Sequence, residues 1–240
     1  MTEAYRIVGT PRFGGILIVA DHASNRVPEG IDLGIDPALL DLHIAHDIGV
    51  LGVAKQMAQR PGTAAFLGNI SRLVCDFNRE EDALGVVPEA SDGHEIPGNH
   101  NGSQRHLDRL ERFYHPYHDA LSALLDDKPP ALILSLHSFT PSLASSDEQR
   151  PWHVGILYNK DDRAARLAIP LLEAEGLVVG DQQPYSGRLL NATMNRHAEA
   201  EGRPYLGVEI RQDGIADAAG QTVWAERLVR VCNAVALGVG

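Results

Sequence analysis

Ile16-Leu17-Ile18-Val19-Ala20-Asp21-His22-Ala23-Ser24-Asn25-Arg26-Val27-Pro28 is the stretch whose reading decides the fold. Its five apolar residues, mostly β-branched, make a strand short enough to be buried on both faces. The run then stops on an acid and a histidine, with an arginine four residues beyond. In open α/β sheets ligands gather just past the carboxyl ends of strands. A histidine in that place is a candidate metal ligand or proton carrier. The ordinary alternative is a loop histidine beside an acid. What favours the functional reading is that the chain repeats the device three more times.

Working outward, residues 131–136 form the clearest central strand, and it runs straight into His137-Ser138-Phe139-Thr140-Pro141. Residues 64–67 and 73–77 read as further strands, the second ending in Asp76-Phe77-Asn78-Arg79. Residues 205–210 end on Glu209-Ile210-Arg211, and shorter strands are expected at 154–158 and 177–179. Between them lie helical patterns. Asp36-Pro37 is a cap followed by proline at the first helical position. Val50, Leu51, Val53, Ala54, Met57 and Ala58 keep helical spacing until Pro61. Ser103 is expected to cap a helix over 103–125 that Pro116 kinks or divides. Further helices are expected from Asp161 or Asp162 to Glu175, over 191–201 and over 221–235. Strands alternating with helices predict one domain over residues 1–240, a three-layer α/β/α sandwich with a mixed, largely parallel sheet. Residues 80–102 show no period and are a candidate lid.

Composition narrows the function. The chain has 240 residues, 44% of them apolar, which is enough for a sizeable core. Twenty-one basic against 32 acidic residues leave a net charge of -11, which disfavours nucleic acid or an anionic membrane as a partner. Lys55, Lys128 and Lys160 are the lysines, so the cations are mostly arginines. Cys75 and Cys232 read as small core residues of a reducing compartment. The first residues lack the apolar segment of a signal peptide and no run reaches membrane-spanning length, so a soluble, cytoplasmic protein is expected. The oligomeric state is not legible.

If the strands are parallel, His22, Asn78-Arg79, His137 and Glu209 meet along one edge of the sheet. Two neutral histidines suit zinc or another divalent metal, and a carboxylate completes a three-ligand site with one position open. Asp47 and Asn25 are the candidates for third ligand, and Asp47 is preferred because a carboxylate supplies charge. Before Ile48-Gly49-Val50, however, an acid can equally be a helix N-cap. Glu209 lies among Leu206, Val208 and Ile210, where burial raises a carboxyl pKa toward that of a general base. Its structural alternative is an ion pair with Arg211 or Arg72. Arg72 and Arg79 could hold a substrate carboxylate by bidentate pairing, or could neutralise Asp76. Asn78, Ser138 and Arg211, beside them in the same motifs, join the substrate-binding candidates. His197 reads as a surface helical residue. His43, His46, His94, His100, His106, His115, His118 and His153 carry no usable spacing. His46-Asp47 also matches the two-letter core of the all-helical metal phosphohydrolases, but a chain this rich in strands argues against that fold.

Taken together, Asp21-His22-Ala23-Ser24, His46-Asp47-Ile48-Gly49, Ser71-Arg72-Leu73 through Asn78-Arg79, Leu136-His137-Ser138-Phe139-Thr140-Pro141 and Glu209-Ile210-Arg211 resemble the N-formylglutamate amidohydrolase family. The resemblance extends from about Ile16 to Arg211. It implies a zinc-dependent hydrolase that releases formate from N-formyl-L-glutamate late in histidine breakdown, on a fold related to zinc exopeptidases. Carried over by motif, the metal ligands are His22, Asp47 and His137, the base is Glu209, and Asn78-Arg79 binds the substrate carboxylate. The first motif departs from the family: it reads His-Ala-Ser-Asn-Arg where deformylases usually have His-Ser-Gly. The related exopeptidases have glutamate where Asn25 stands. A divergent branch is therefore expected. A non-catalytic small-acid binding protein and a carboxypeptidase-like enzyme on short peptides are the competing expectations.

Overall fold

The computed structural model describes residues 4–100, 103–146 and 149–239, with the side chains of residues 103 and 104 outside the description. The strands are β1 (Tyr5–Gly9), β2 (Ile16–Ala20), β3 (Thr63–Gly68), a small hairpin of β4 (Ala90–Ser91) and β5 (His94–Glu95), β6 (Leu132–Phe139), β7 (Val154–Leu157), β8 (Val179–Asp181) and β9 (Tyr205–Arg211). The helices are α1 (Val50–Met57), α2 (Ser103–Arg109), α3 (His115–Asp127), α4 (Arg163–Ala174), α5 (Ala192–His197) and α6 (Ala218–Val239). Seven strands make one sheet in the order β1-β3-β2-β6-β9-β7-β8. Its centre, β3-β2-β6-β9, is parallel. β1 runs antiparallel to β3, and β7 runs antiparallel to β9 and parallel to β8. The mixed, largely parallel α/β/α sandwich is therefore the fold.

Burial explains the centre. Every residue of β2 and β6 is buried, as is β9 up to Ile210. Each such Val, Leu or Ile contributes about 1.5–3 kcal/mol when fully removed from water. α6 packs on both α1 and α4, and all three helices lie against the sheet. On α3, Tyr117 stacks on Phe77 with ring centroids 4.0 Å apart and meets Phe66 of β3 edge-on at 5.0 Å. Gly68 ends β3 where a Cβ would lie 2.0 Å from the Asp21 carbonyl oxygen. Only a residue without a side chain lets β3 close against the end of β2 that carries His22.

Several elements differ from the sequence expectation. Residues 73–77 are not a strand but a run of turns. Both edges of β3 are already taken, by β1 and β2, so these residues cannot pair with the strand that precedes them. Their backbone groups are held instead by Ser71, whose carbonyl accepts from Val74 and Cys75, and by the Asn99 amide, which donates to Leu73 O at 2.7 Å. The edge strand β1 was not anticipated, because its half-exposed residues lack a buried run. β6 extends through Phe139, so His137 and Ser138 lie inside the strand rather than after it. Residues 80–102 contain two short 3-10 turns and the β4–β5 hairpin. The 103–125 helix is three pieces, α2, a π-helical turn over Leu110–Tyr114, and α3, with Pro116 in the first turn of α3. The cap expected at Ser103 falls on a side chain outside the description. No helix among the described residues is long and apolar enough to cross a membrane.

His197 is not on the surface. It is 4% exposed on α5 and pairs with His118 of α3, Nδ1 of His118 lying 2.9 Å from Nε2 of His197. His118 Nε2 faces the Phe77 carbonyl at 3.1 Å and must be its N–H donor. Neutral His118 then accepts from His197 Nε2–H. Burial, aided by the charge of Arg196, pushes His118 down to about 3 and His197 down to about 4. Unfolded histidines protonate near 6.5, so both contributions are present above that pH and are lost as pH falls toward 4. Urea unfolding should therefore show the stability advantage of wild type over His197→Gln shrinking between pH 6.5 and 4. The expected change is up to about 1.4 kcal/mol per pH unit for that proton. A pH-independent difference would show that His197 takes up its proton as readily in the folded protein as in the unfolded chain.

Candidate active site

The parallel register places the chemistry. In β6 and β9 His137 stands opposite Glu209, so both side chains leave the sheet on the same side. Two residues beyond β2 comes His22, and the chain then passes to Asp47, whose amide donates to His22 O at 2.9 Å. Gly49 follows in a left-handed conformation, φ 82°, and starts α1. A Cβ there would lie 2.2 Å from Ile215 O, so glycine permits the sharp entry. The N-cap of α1 is thus Gly49, and the Asp47 carboxylate turns away from the helix into a cavity of about 360 Å³. His22, Asp47, Arg72, Asp76, Asn78, Arg79, His137, Ser138, Tyr185 and Glu209 all line that cavity.

At its floor His22, Asp47 and His137 offer donor atoms within 4.8 Å of one another, all from buried side chains. Asp47 Oδ2 is 2.9 Å from His137 Nδ1 and 3.4 Å from His22 Nδ1. The second contact is an ion-pair distance without hydrogen-bond geometry, and His22 Nδ1 is left buried without a partner. Each ring is held from behind by another acid. His22 Nε2 lies 2.7 Å from Asp76 Oδ1, and His137 Nε2 lies 3.5 Å from Asp21 Oδ2. Tyr117 in turn donates to Asp21 Oδ1 at 2.6 Å. A hydrogen bond to Asp76 fixes the His22 ring, Asp21 faces His137 at ion-pair distance only, and both Nδ1 atoms face Asp47, an arrangement that can hold a metal ion.

Arg72 joins the acids. Its Nη2 and Nε lie 2.8 Å and 3.1 Å from Asp76 Oδ2, and its Nη1 lies 3.5 Å from Asp47 Oδ1. Ser138 donates its hydroxyl to Ile48 O at 2.9 Å, tying β6 to the Asp47 turn. Asn78 accepts from the Thr193 amide at 3.1 Å. Arg79 reaches Asp76 only at 3.7 Å through Nε and is a third exposed. Tyr114, turned inward by the π-helical turn, donates to Arg79 O at 2.8 Å and fixes its backbone.

Burial opposes charge on each of these groups, and pairing decides the outcome. The two histidines face enough carboxylate to overcome burial: His22 is raised by Asp76 and Asp47, and His137 well raised by Asp21 and Asp47. Asp21, Asp47 and Asp76 are lowered against burial by the histidines and, for Asp76, first by Arg72. Glu209 goes the other way. Burial pushes it up to about 7, with His137 opposing and Asp47 assisting the rise. Its Oε2 is buried and unpartnered. The cavity floor therefore demands positive charge and carries one carboxyl poised near neutrality.

Two sequence candidates lie elsewhere. Asn25 donates to Asp41 at 3.2 Å in an exposed contact and does not line the cavity. Arg211 points to Asp213 at 2.8 Å and to the carbonyls of Arg150 and Pro151; it does not line the cavity, and its ion pair is with Asp213 rather than Glu209. Sequence reading missed Asp21 and Tyr117 as supports of His137, although Asp21 adjoins His22. It also missed Tyr185, on the cavity wall with its hydroxyl accepting from Arg150 at 3.1 Å. From the 80–102 segment Ala90, Ser91 and Asp92 form one side of the cavity, where Asp92 accepts from the Ala144 and Ser145 amides and lies 3.1 Å from His43.

A buried cluster of two histidines and a carboxylate, with a near-neutral carboxyl beside it at the edge of a parallel sheet, defines a hydrolase-like α/β domain. The family model of N-formylglutamate amidohydrolase matches residues 14–216, and the chain belongs to that family of amidohydrolases. No match was found among curated proteins. Among solved structures, a gene product of Agrobacterium tumefaciens is 28% identical, with a TM-score of 0.91, over 97% of this chain and 94% of that one. An N-formylglutamate amidohydrolase from Ralstonia eutropha is 16% identical, with a TM-score of 0.77, over 99% of this chain and 98% of that one. At that identity the second likeness concerns the fold alone.

Arg72, 26% exposed at its side chain, balances two buried carboxylates. Removing one partner of such an arrangement leaves buried charge uncompensated, so Arg72→Met should lower stability at pH 7 by about 3 kcal/mol. Urea unfolding measures this. Unchanged stability with a raised KM would instead make Arg72 a substrate contact.

Proposed function

We propose that the chain hydrolyses the amide bond of a small N-acylated amino acid in a metal-dependent reaction, with N-formyl-L-glutamate as the first candidate substrate. The observation that carries this reading is Glu209: a carboxyl near 7, with one oxygen unpartnered, in the same strand register as a histidine of the three-donor cluster. Family membership supports the amide as the bond cleaved.

The donor chemistry fits a divalent metal. His22 Nδ1 is a buried nitrogen without a hydrogen-bond partner, its ring is oriented by Asp76, and two imidazoles with one carboxylate suit zinc in an open catalytic site. Such an ion, held by His22, Asp47 and His137, would act as a Lewis acid on water and on the scissile carbonyl. Glu209 takes the proton of the attacking water and passes it to the leaving nitrogen, which needs a carboxylate ionised at neutral pH yet basic enough to accept. Arg79, at the cavity mouth, pairs with a substrate carboxylate, and Asn78, pinned to Thr193, sits beside it. A cavity of about 360 Å³ suits a small molecule rather than an extended peptide.

N-formyl, N-acetyl and N-succinyl amino acids, tested alongside metal analysis of the purified protein, check the proposal. Glu209→Gln should keep its metal while kcat falls roughly 10²–10⁴-fold, the usual range for a general base. His137→Ala should lose metal and activity together. Hydrolysis by metal-stripped protein at the wild-type rate would sink the metal-dependent reading, and cleavage of peptides but not formamides would move the substrate class. For the carboxylate pairing, Arg79→Lys keeps the charge and loses the planar fork, so KM should rise roughly tenfold or more with kcat little changed. An unchanged KM, or equal turnover of substrates lacking that carboxylate, would count against Arg79.

A further inference from the structure

A second cavity, of about 350 Å³, lies between α2 with its π-helical continuation and the loop around residues 30–32, and it shares no lining residue with the first. Arg105, Arg109 and Arg112, four and three residues apart, all line it. Arg109 is 8% exposed, and its Nη1 is buried with no hydrogen-bond partner. A guanidinium remains charged at any pH a protein meets. Asp108 faces this charge favourably, but burying one of its N–H donors unsatisfied is costly, and an unfilled ion site is one physical reason for a native structure to hold such a group.

The two outer arginines are fixed as walls. Arg105 donates through Nη1 to Gly98 O and, at 3.4 Å, to His100 O. Arg112 donates to Glu29 O at 3.3 Å, and its guanidinium stacks 4.9 Å from the Phe113 ring centre. Two acids, Asp32 and Asp108, also line the cavity, and Asp32 Oδ1 is engaged by the Gly34 amide at 2.8 Å. Three cations against two carboxylates leave a locally positive hollow in a protein of net charge -11. A water molecule there would satisfy the Nη1 donor and leave the charge unbalanced, whereas an oxyanion does both.

We propose that this cavity is a second ligand site that takes a small oxyanion, a carboxylate or a phosphate, paired to Arg109 between Arg105 and Arg112. Calorimetric titration of inorganic phosphate and of succinate into the full chain tests it and tells the two ligand types apart. Because Arg79 in the first cavity also attracts anions, the titrations are run on wild type, Arg79→Leu and Arg109→Leu. Saturable binding of one anion should survive in Arg79→Leu and weaken at least tenfold in Arg109→Leu, while hydrolytic activity of Arg109→Leu stays at the wild-type level. If Arg109→Leu does not fold, Arg112→Leu on the rim provides the same comparison with a smaller, several-fold loss. Equal binding in wild type and the arginine variants of this cavity, or no saturable heat from either anion in Arg79→Leu, overturns the proposal.

Discussion

The Asp47 carboxylate is the point on which the site depends. One of its oxygens faces Nδ1 of both His22 and His137, and the other is approached by Arg72. Asp47 can do this only because Gly49, at φ 82°, takes over the start of α1 and frees the acid from capping the helix. Moving Asp47 back to a capping role would leave two histidines turned toward an empty wall. The link runs from a backbone conformation, through a side-chain direction, to the chemistry of the cavity floor.

Around that contact the protein buries four carboxylates, Asp21, Asp47, Asp76 and Glu209. Buried ions are poor sources of stability, because desolvation offsets their attraction. Here they are ordered by function. Asp76 and Asp21 each face one imidazole, Arg72 neutralises Asp76 and Asp47, and Glu209 is the one of the four whose pKa is raised, to about 7. The acids that support are lowered by their partners. Glu209 is raised by burial, and that difference in environment is what supports the proposed division between supporting acids and a base.

The frame that carries these charges is apolar and rigid. β2, β6 and β9 are buried almost throughout, so His137 and Glu209 sit on strands rather than on loops. The more variable walls come from loops: the β4–β5 hairpin, with Asp92 tying it to the chain after β6, and Tyr185 with Arg150 on the other side. His137 and Glu209 are thus held on the sheet itself, His22 and Asp47 in the turns just beyond it, while the other walls come from segments with more freedom to differ.

The sequence by itself determined the α/β sandwich, because short apolar runs at 16–20 and 131–134, alternating with helical patterns, suit strands buried on both faces. It also brought His22, Asp47, His137 and Glu209 forward, since each stands where a buried run meets polar residues or on a distinctive motif. Long-range pairing decided the rest. That residues 73–77 form turns follows from both edges of β3 being occupied, which no local pattern reveals. The burial of His197 depends on α5 meeting His118 of α3, 79 residues earlier. Whether an arginine faces substrate, an acid or a carbonyl is likewise a matter of three-dimensional direction: Arg72 turned to Asp76, Arg211 to Asp213, and Arg109 into a cavity without a partner. Residue type and spacing state what a side chain can do, and only the packing of distant segments fixes what it faces.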